Sequence, residues 1–237
     1  MMPPTLAEFP EDWFSGLVVV AHPDDMEYGG AAAVARWTRQ GKRIGYLLVT
    51  RGEAGIDDME PGECAGVRVQ EQINSSAVVG VEEVEFLDYP DGLIEYGLPL
   101  RRDIALAIRR HRPEVVFAVN HRETFGGVML NMADHRNTGL ATIDAVRDAA
   151  NRWLFTDSDA EPWSGVKYLA VVASPDSGHA VDITDTFDLG VESLRCHAEY
   201  LRALGGPDPA VFLRQVAESA AERFDDRLAA VFELFPL

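Results

Sequence analysis

The stretch LVVVAHPDDMEYGG, from Leu17 to Gly30, decides the fold. Its first five residues, Leu17 to Ala21, are apolar or small without alternation, the pattern of a short strand buried on both faces. His22, Pro23, Asp24 and Asp25 follow at once, and Gly29-Gly30 open an Ala-rich helical run. One imidazole and two carboxylates therefore stand where a strand hands over to a helix. In an open α/β sheet, ligands bind in the crevice outside the carboxyl ends of the strands. The stretch predicts a metal site with an adjacent general base.

Outward from it, strand and helix signals alternate. A helix is predicted over Ala31 to Gln40, closed by Gly41, and a second strand over Arg43 to Thr50. Helices over Val67 to Val79, Arg101 to His111 and His135 to Asn151 alternate with strands over Val84 to Leu87 and Glu114 to Val119. Strands at Lys167 to Ala173 and Ala180 to Ile183 precede helices over Asp185 to Leu204 and Ala210 to Phe232. Repeated βα units imply an α/β fold, a mainly parallel sheet with helices on both faces. Two long loops, residues 51–66 and 120–134, interrupt the alternation, and loops of that length are more often functional than idle. No composition shift marks a boundary, so residues 1–237 are expected to form a single domain ending in a helix at about 210–233. The G-x-G-x-x-G fingerprint and the P-loop pattern are absent, which disfavours nucleotide chemistry.

A net charge of −18 and a pI near 4.6 argue against partners that need a basic footprint, namely nucleic acid and anionic membranes. No apolar run approaches the ~20 residues of a membrane helix. The N-terminal residues MMPPTLAEFPEDW lack the basic and apolar regions of a signal peptide. Cys64 and Cys196 show neither metal spacing nor a disulfide framework, so both are expected as reduced thiols. A cytoplasmic protein is the expectation. An apolar stripe at Leu228, Val231, Phe232 and Phe235 reads as core cover or as the contact of a homo-oligomer.

A catalytic zinc site takes three protein ligands and leaves a fourth position for water. His22 and Asp25 lie close enough on one turn to converge on a point. The third ligand must come from another strand end, and His135, at a helix start behind the second long loop, is the best placed. Asp134 would hold a ligand from behind or cap the helix. Asp24, beside the metal but not needed on it, suits a general base. Glu27 reads as a first-turn residue complementing the helix dipole.

In these residues the chain resembles the LmbE-like, or PIG-L, zinc de-N-acetylases. A-H-P-D-D follows the first strand, T-R-G-E-A-G (Thr50 to Gly55) the second, and D-H-R-N-T-G spans Asp134 to Gly139. Arg68 in R-V-Q-E, F-L-D-Y-P-D-G (Phe86 to Gly92) and V-D-I-T (Val181 to Thr184) agree in order, so the match covers about residues 16–200. The resemblance implies a Rossmann-like domain and a hydrolase removing acetyl from an N-acetylated amino sugar or its conjugate. It implies one Zn2+ on His22, Asp25 and His135, with Asp24 as base and Glu53, Arg68 and Asp91 lining the substrate pocket. Zinc over Fe2+ or Mn2+ rests on that resemblance more than on ligand chemistry. Met132 departs from the pattern, standing where the family has a histidine thought to act as acid or oxyanion stabiliser. A thioether does neither. His121 and His179, at strand or loop ends that could face the crevice, are the candidates to replace it. Two other readings compete: a non-haem iron enzyme, which also uses two His and one carboxylate, and a family member that binds a sugar or thiol conjugate without cleaving it.

Overall fold

The computed structural model describes residues 5–125 and 127–237. In chain order the elements are β1 (Ala7–Glu8), β2 (Ser15–Val20), α1 (Ala31–Arg39), β3 (Arg43–Leu48), α2 (Pro61–Val78), β4 (Glu83–Phe86), α3 (Leu98–His111) and β5 (Val115–Ala118). There follow β6 (Thr124–Phe125), β7 (Met129–Leu130), α4 (Ala133–Ala150), β8 (Tyr168–Val172), β9 (His179–Asp182), α5 (Phe187–Arg195), α6 (Ala198–Leu204), α7 (Pro209–Ala221) and β10 (Ala229–Pro236). The main sheet has the order β1-β9-β10-β8-β5-β2-β3-β4, parallel except at β10, which runs antiparallel to both neighbours.

β2 lies between β3 and β5 and is buried throughout. Its side chains alternate between two cores, as strand geometry requires. Val18 and Val20 join Trp37, Tyr46, Phe117 and Phe232 on the face covered by α1 and α5, while Leu17 and Val19 join residues of α3 and α4 on the other. Trp13 and Trp37 pack edge-on at 5.1 Å between ring centroids, inside the aromatic group around Phe117. They are packing residues, whereas Trp153 is exposed.

Several boundaries differ from the sequence-based expectation. α2 starts at Pro61 rather than Val67, with proline in the first turn, where its missing N–H costs nothing. The helix expected over Asp185 to Leu204 is two helices. The Glu71 carboxylate of α2 accepts the Glu199 N–H at 2.6 Å, satisfying a free donor at the start of α6. The expected C-terminal helix at about 210–233 is the largest correction. α7 ends at Ala221, Asp225 and Asp226 take left-handed φ values of 51° and 57°, and the chain re-enters the sheet as β10. No glycine or proline marks this break, and an apolar run such as AAVFEL does not distinguish helix from buried strand by periodicity. Phe232, from the apolar stripe, is completely buried within the sheet, so it is core. The 120–134 loop carries the antiparallel β6–β7 pair.

Candidate metal centre and catalytic turn

At the carboxyl end of β2 the chain folds back on itself. The Ala21 and His22 amides both donate to Asp25 Oδ2 at 2.9 Å, which turns Oδ1 outward. That oxygen lies 2.9 Å from His135 Nε2 and 3.7 Å from His22 Nδ1, and the two ring nitrogens are 3.2 Å apart. Nearly tetrahedral ligands at about 2.0–2.2 Å from a zinc ion stand about 3.3–3.6 Å from one another. The three separations bracket that range.

The hydrogen bonds behind the ligands fix which nitrogen presents a lone pair. His135 Nδ1 meets Asn131 Oδ1 at 3.0 Å, and Asn131 Nδ2 is committed to the carbonyls of Asn120 and Arg122 at 2.7 and 2.9 Å. Asn131 thus presents oxygen, Nδ1 carries the proton, and His135 Nε2 is left bare. His22 Nε2 faces Asp91 Oδ1 at 3.0 Å and Asp134 Oδ2 at 3.2 Å, so its proton sits there and Nδ1 is bare. In the neutral rings, two lone pairs and a carboxylate oxygen converge with no hydrogen between the two nitrogens. A cation resolves that arrangement, and carboxylates behind the ligating rings are its usual companions. Without a cation, the carboxylates of Asp134, Asp25 and Asp91 outweigh burial and hold the His22 pKa well above its ordinary value. Burial would raise Asp25, but the two imidazoles pull it down further.

Asp134 also receives the Gly92 and Ile94 amides at 2.7 and 3.1 Å, tying the 88–97 segment to α4. Asp91 Oδ2 takes the Ala54 amide and Glu53 Oε1 takes the Asp91 amide, each at 2.9 Å. Asp91 therefore stands against His22, and half-buried Glu53 stands one step behind it. Arg68 is fully buried rather than lining an open pocket. Its Nη2 donates to the Pro23 carbonyl at 2.5 Å and lies 3.2 Å from Asp24 Oδ1, while its guanidinium stacks 3.6 Å from the Tyr200 ring centroid. Gly52, at φ +68°, makes room for it, since a Cβ there would meet Nη1 at 2.7 Å. Asp24 is buried and outside the ligand cluster, and burial raises its pKa well above the usual carboxylate range.

The structure does not bring His121 or His179 into this cluster. His179 opens β9, four strand positions from β2, or about 19 Å by inter-strand spacing. His121 packs against Gly139 of α4, and its charged surroundings are Arg122, Glu233, Glu123 and Asp176. Met132 is exposed at the N-cap of α4. Sequence reasoning missed Asn131 and Tyr200, neither of which carries a local signal.

His197, at the break between α5 and α6, is buried, and neither ring nitrogen has a hydrogen-bond partner among the described residues. Burial, reinforced by the Arg68 charge, pushes its pKa down to about 3. An unfolded histidine binds its proton near ~6.5. Below that pH the unfolded chain takes up a proton that the folded chain refuses, so stability falls as pH drops toward 3. The loss from pH 7.5 to 5 is about 2 kcal/mol. We expect urea titrations to show this component in the wild type and not in His197→Gln. Equal pH slopes in both proteins would refute it.

A family model described as PIG-L, GlcNAc-PI de-N-acetylase, matches residues 17–146, and the chain belongs to that family. The diacetylchitobiose deacetylase of Thermococcus kodakarensis is 29% identical over 76% of this chain and 68% of its own length. A 1D-myo-inositol 2-acetamido-2-deoxy-alpha-D-glucopyranoside deacetylase of Kineococcus radiotolerans is 28% identical over 66% of this chain and 51% of its own length. Among solved structures, the N,N'-diacetylchitobiose deacetylase of Pyrococcus horikoshii superposes with a TM-score of 0.83 at 25% identity, covering 95% of this chain and 85% of that one. Among the described residues no helix is long and apolar enough to cross a membrane.

Proposed function

We propose that this chain is a zinc-dependent hydrolase that removes the acetyl group from the amine of an N-acetylated amino sugar or its conjugate. The observation that carries the reading is the convergence of His22 Nδ1, Asp25 Oδ1 and His135 Nε2, with Asp24 held beside them by Arg68. Its support beyond the site is family membership and the amino-sugar deacetylases among the relatives.

His22, Asp25 and His135 would hold the metal, which when bound acidifies a water and offsets negative charge developing on the acyl oxygen. Asp24 takes the proton from the attacking water. As the C–O bond forms and the C–N bond breaks, Asp24 passes that proton to the leaving nitrogen, giving acetate and a free amine. We assign both transfers to Asp24 because Met132 carries no proton and neither His121 nor His179 joins the cluster. Arg68 keeps the carboxylate aimed. The stapled 51–60 and 88–97 segments, with Glu53 and Asp91, form the wall beside His22.

The test is amine release from N,N'-diacetylchitobiose and N-acetylglucosamine by zinc-loaded, chelated and re-loaded protein. Release that disappears with chelator and returns with zinc is expected. Zinc-saturated protein that releases amine from neither would overturn the substrate assignment. Release unaffected by full metal removal would overturn the mechanism.

A further inference from the structure

Asp24 is held by its side chain through Arg68, and it also has a second, main-chain restraint. Its φ of +89° lies in the left-handed region, which non-glycine residues adopt only where the surroundings impose it. Its amide donates to Gln72 Oε1 at 2.9 Å, and Gln72 is buried on α2. The other end of that amide, Nε2, donates to Glu27 Oε1 at 2.9 Å and to Ser76 Oγ at 3.1 Å. Glu27 Oε1 in turn accepts the Ser75 hydroxyl at 2.8 Å. Glu27 is as buried as Gln72, so complementing a helix dipole in water does not describe it.

From this geometry we infer that Gln72 and Glu27 are positioning residues that lock the catalytic turn. The inference rests on Asp24 being the base. Gln72 braces two points of one turn, residues 24 and 27, against α2. Its amide has a direction, oxygen at one end and nitrogen at the other. Glu27 and Ser76 offer acceptors to the nitrogen end, and that choice aims the oxygen at the Asp24 N–H. Removing Glu27 frees the amide to rotate and to set two donors against each other. The peptide that sets the strained φ then loses the hydrogen bond at its N–H while keeping the one at the Pro23 carbonyl, and the carboxylate on the same residue tilts with it. Arg68 holds one oxygen of that carboxylate and the Pro23 carbonyl, so the Pro23–Asp24 peptide is gripped at its oxygen by Arg68 and at its N–H by Gln72, and without Gln72 it is held from one side only.

The experiment uses zinc-loaded full-length protein with N,N'-diacetylchitobiose. Gln72→Leu, which keeps the bulk and removes both polar ends, is expected to lower kcat about thirtyfold, with KM and zinc stoichiometry unchanged. Backbone hydrogen exchange supplies a reading independent of turnover, with and without zinc. The Asp24 amide should exchange at least about tenfold faster in Gln72→Leu, while Val18 and Val20 keep their protection. Glu27→Gln, which retains an acceptor oxygen, should recover most of what Glu27→Ala loses. Wild-type kcat or wild-type Asp24 exchange in Gln72→Leu would overturn the inference, as would a loss confined to KM or to zinc binding. If Gln72→Leu does not fold, the Glu27 pair and the exchange at Asp24 decide. If Asp24→Asn retains turnover, the base assignment is what fails, and the exchange data still judge the brace.

Discussion

Asp24→Asn is expected to lower kcat about a thousandfold while the protein still binds one zinc per chain. The separation of these two outcomes follows from the turn. Asp25 and His22 belong to the group that could hold the metal, whereas Asp24 is held from behind by Arg68 and lies outside that group. Asparagine keeps the size and an oxygen for Arg68 but cannot accept the proton of the attacking water. Its Nδ2 end is repelled by the guanidinium, so the amide oxygen should occupy the Oδ1 position and the fold should persist. Metal content by elemental analysis, beside steady-state amine release, separates the possibilities. Wild-type turnover in Asp24→Asn would remove Asp24 from the chemistry, and parallel loss of zinc would make it a ligand.

His135→Ala is the second large effect, and its readout is stability. A ligand that binds the folded state at a thousand times its dissociation constant adds about 4 kcal/mol. For a chain of this size that is a rise in Tm of about 10 °C. Removing His135 leaves His22 Nδ1 and Asp25 Oδ1, two donors where the site was built for three, and added zinc should no longer raise Tm. Asn131→Ala acts more gently. It releases the His135 Nδ1 proton from its fixed acceptor, and loss of such a partner typically weakens metal affinity about ten- to a hundredfold. Scanning calorimetry with and without zinc reads both variants. An undiminished zinc-dependent rise in His135→Ala would refute the ligand set.

The part of this design legible in the sequence was local. Leu17 to Val20 announced a doubly buried strand, and His22, Asp24 and Asp25 follow it within a turn. His135 was legible because it opens a helix directly behind a loop. What escaped depends on contacts between distant segments. Nothing near Asn131 says that its carboxamide fixes a histidine tautomer, because its own nitrogen is oriented by Asn120 and Arg122. Arg68 was expected in a substrate pocket, yet a guanidinium fully buried beneath a turn and one facing a ligand look alike in one dimension. The C-terminal run from Ala229 failed for a different reason. Its burial on both faces erases the periodicity that distinguishes strand from helix.

That last strand has a consequence for assembly. β2, β3, β4, β5 and β8 are contiguous in the sheet, and all are complete before residue 173 is made. Among the described residues, β9 and β1 have no neighbour in the sheet but each other and β10, so they join the remainder of the sheet across the segment synthesised after them. During vectorial synthesis the half of the sheet that carries the candidate site can therefore zip early, while the edge of β8 stays open and adhesive until Ala229–Pro236 emerges and slots in. A ribosome-stalled chain lacking that segment would display an unpaired strand edge beside the nearly finished candidate site, a state suited to chaperone capture or to pairing with a second nascent copy.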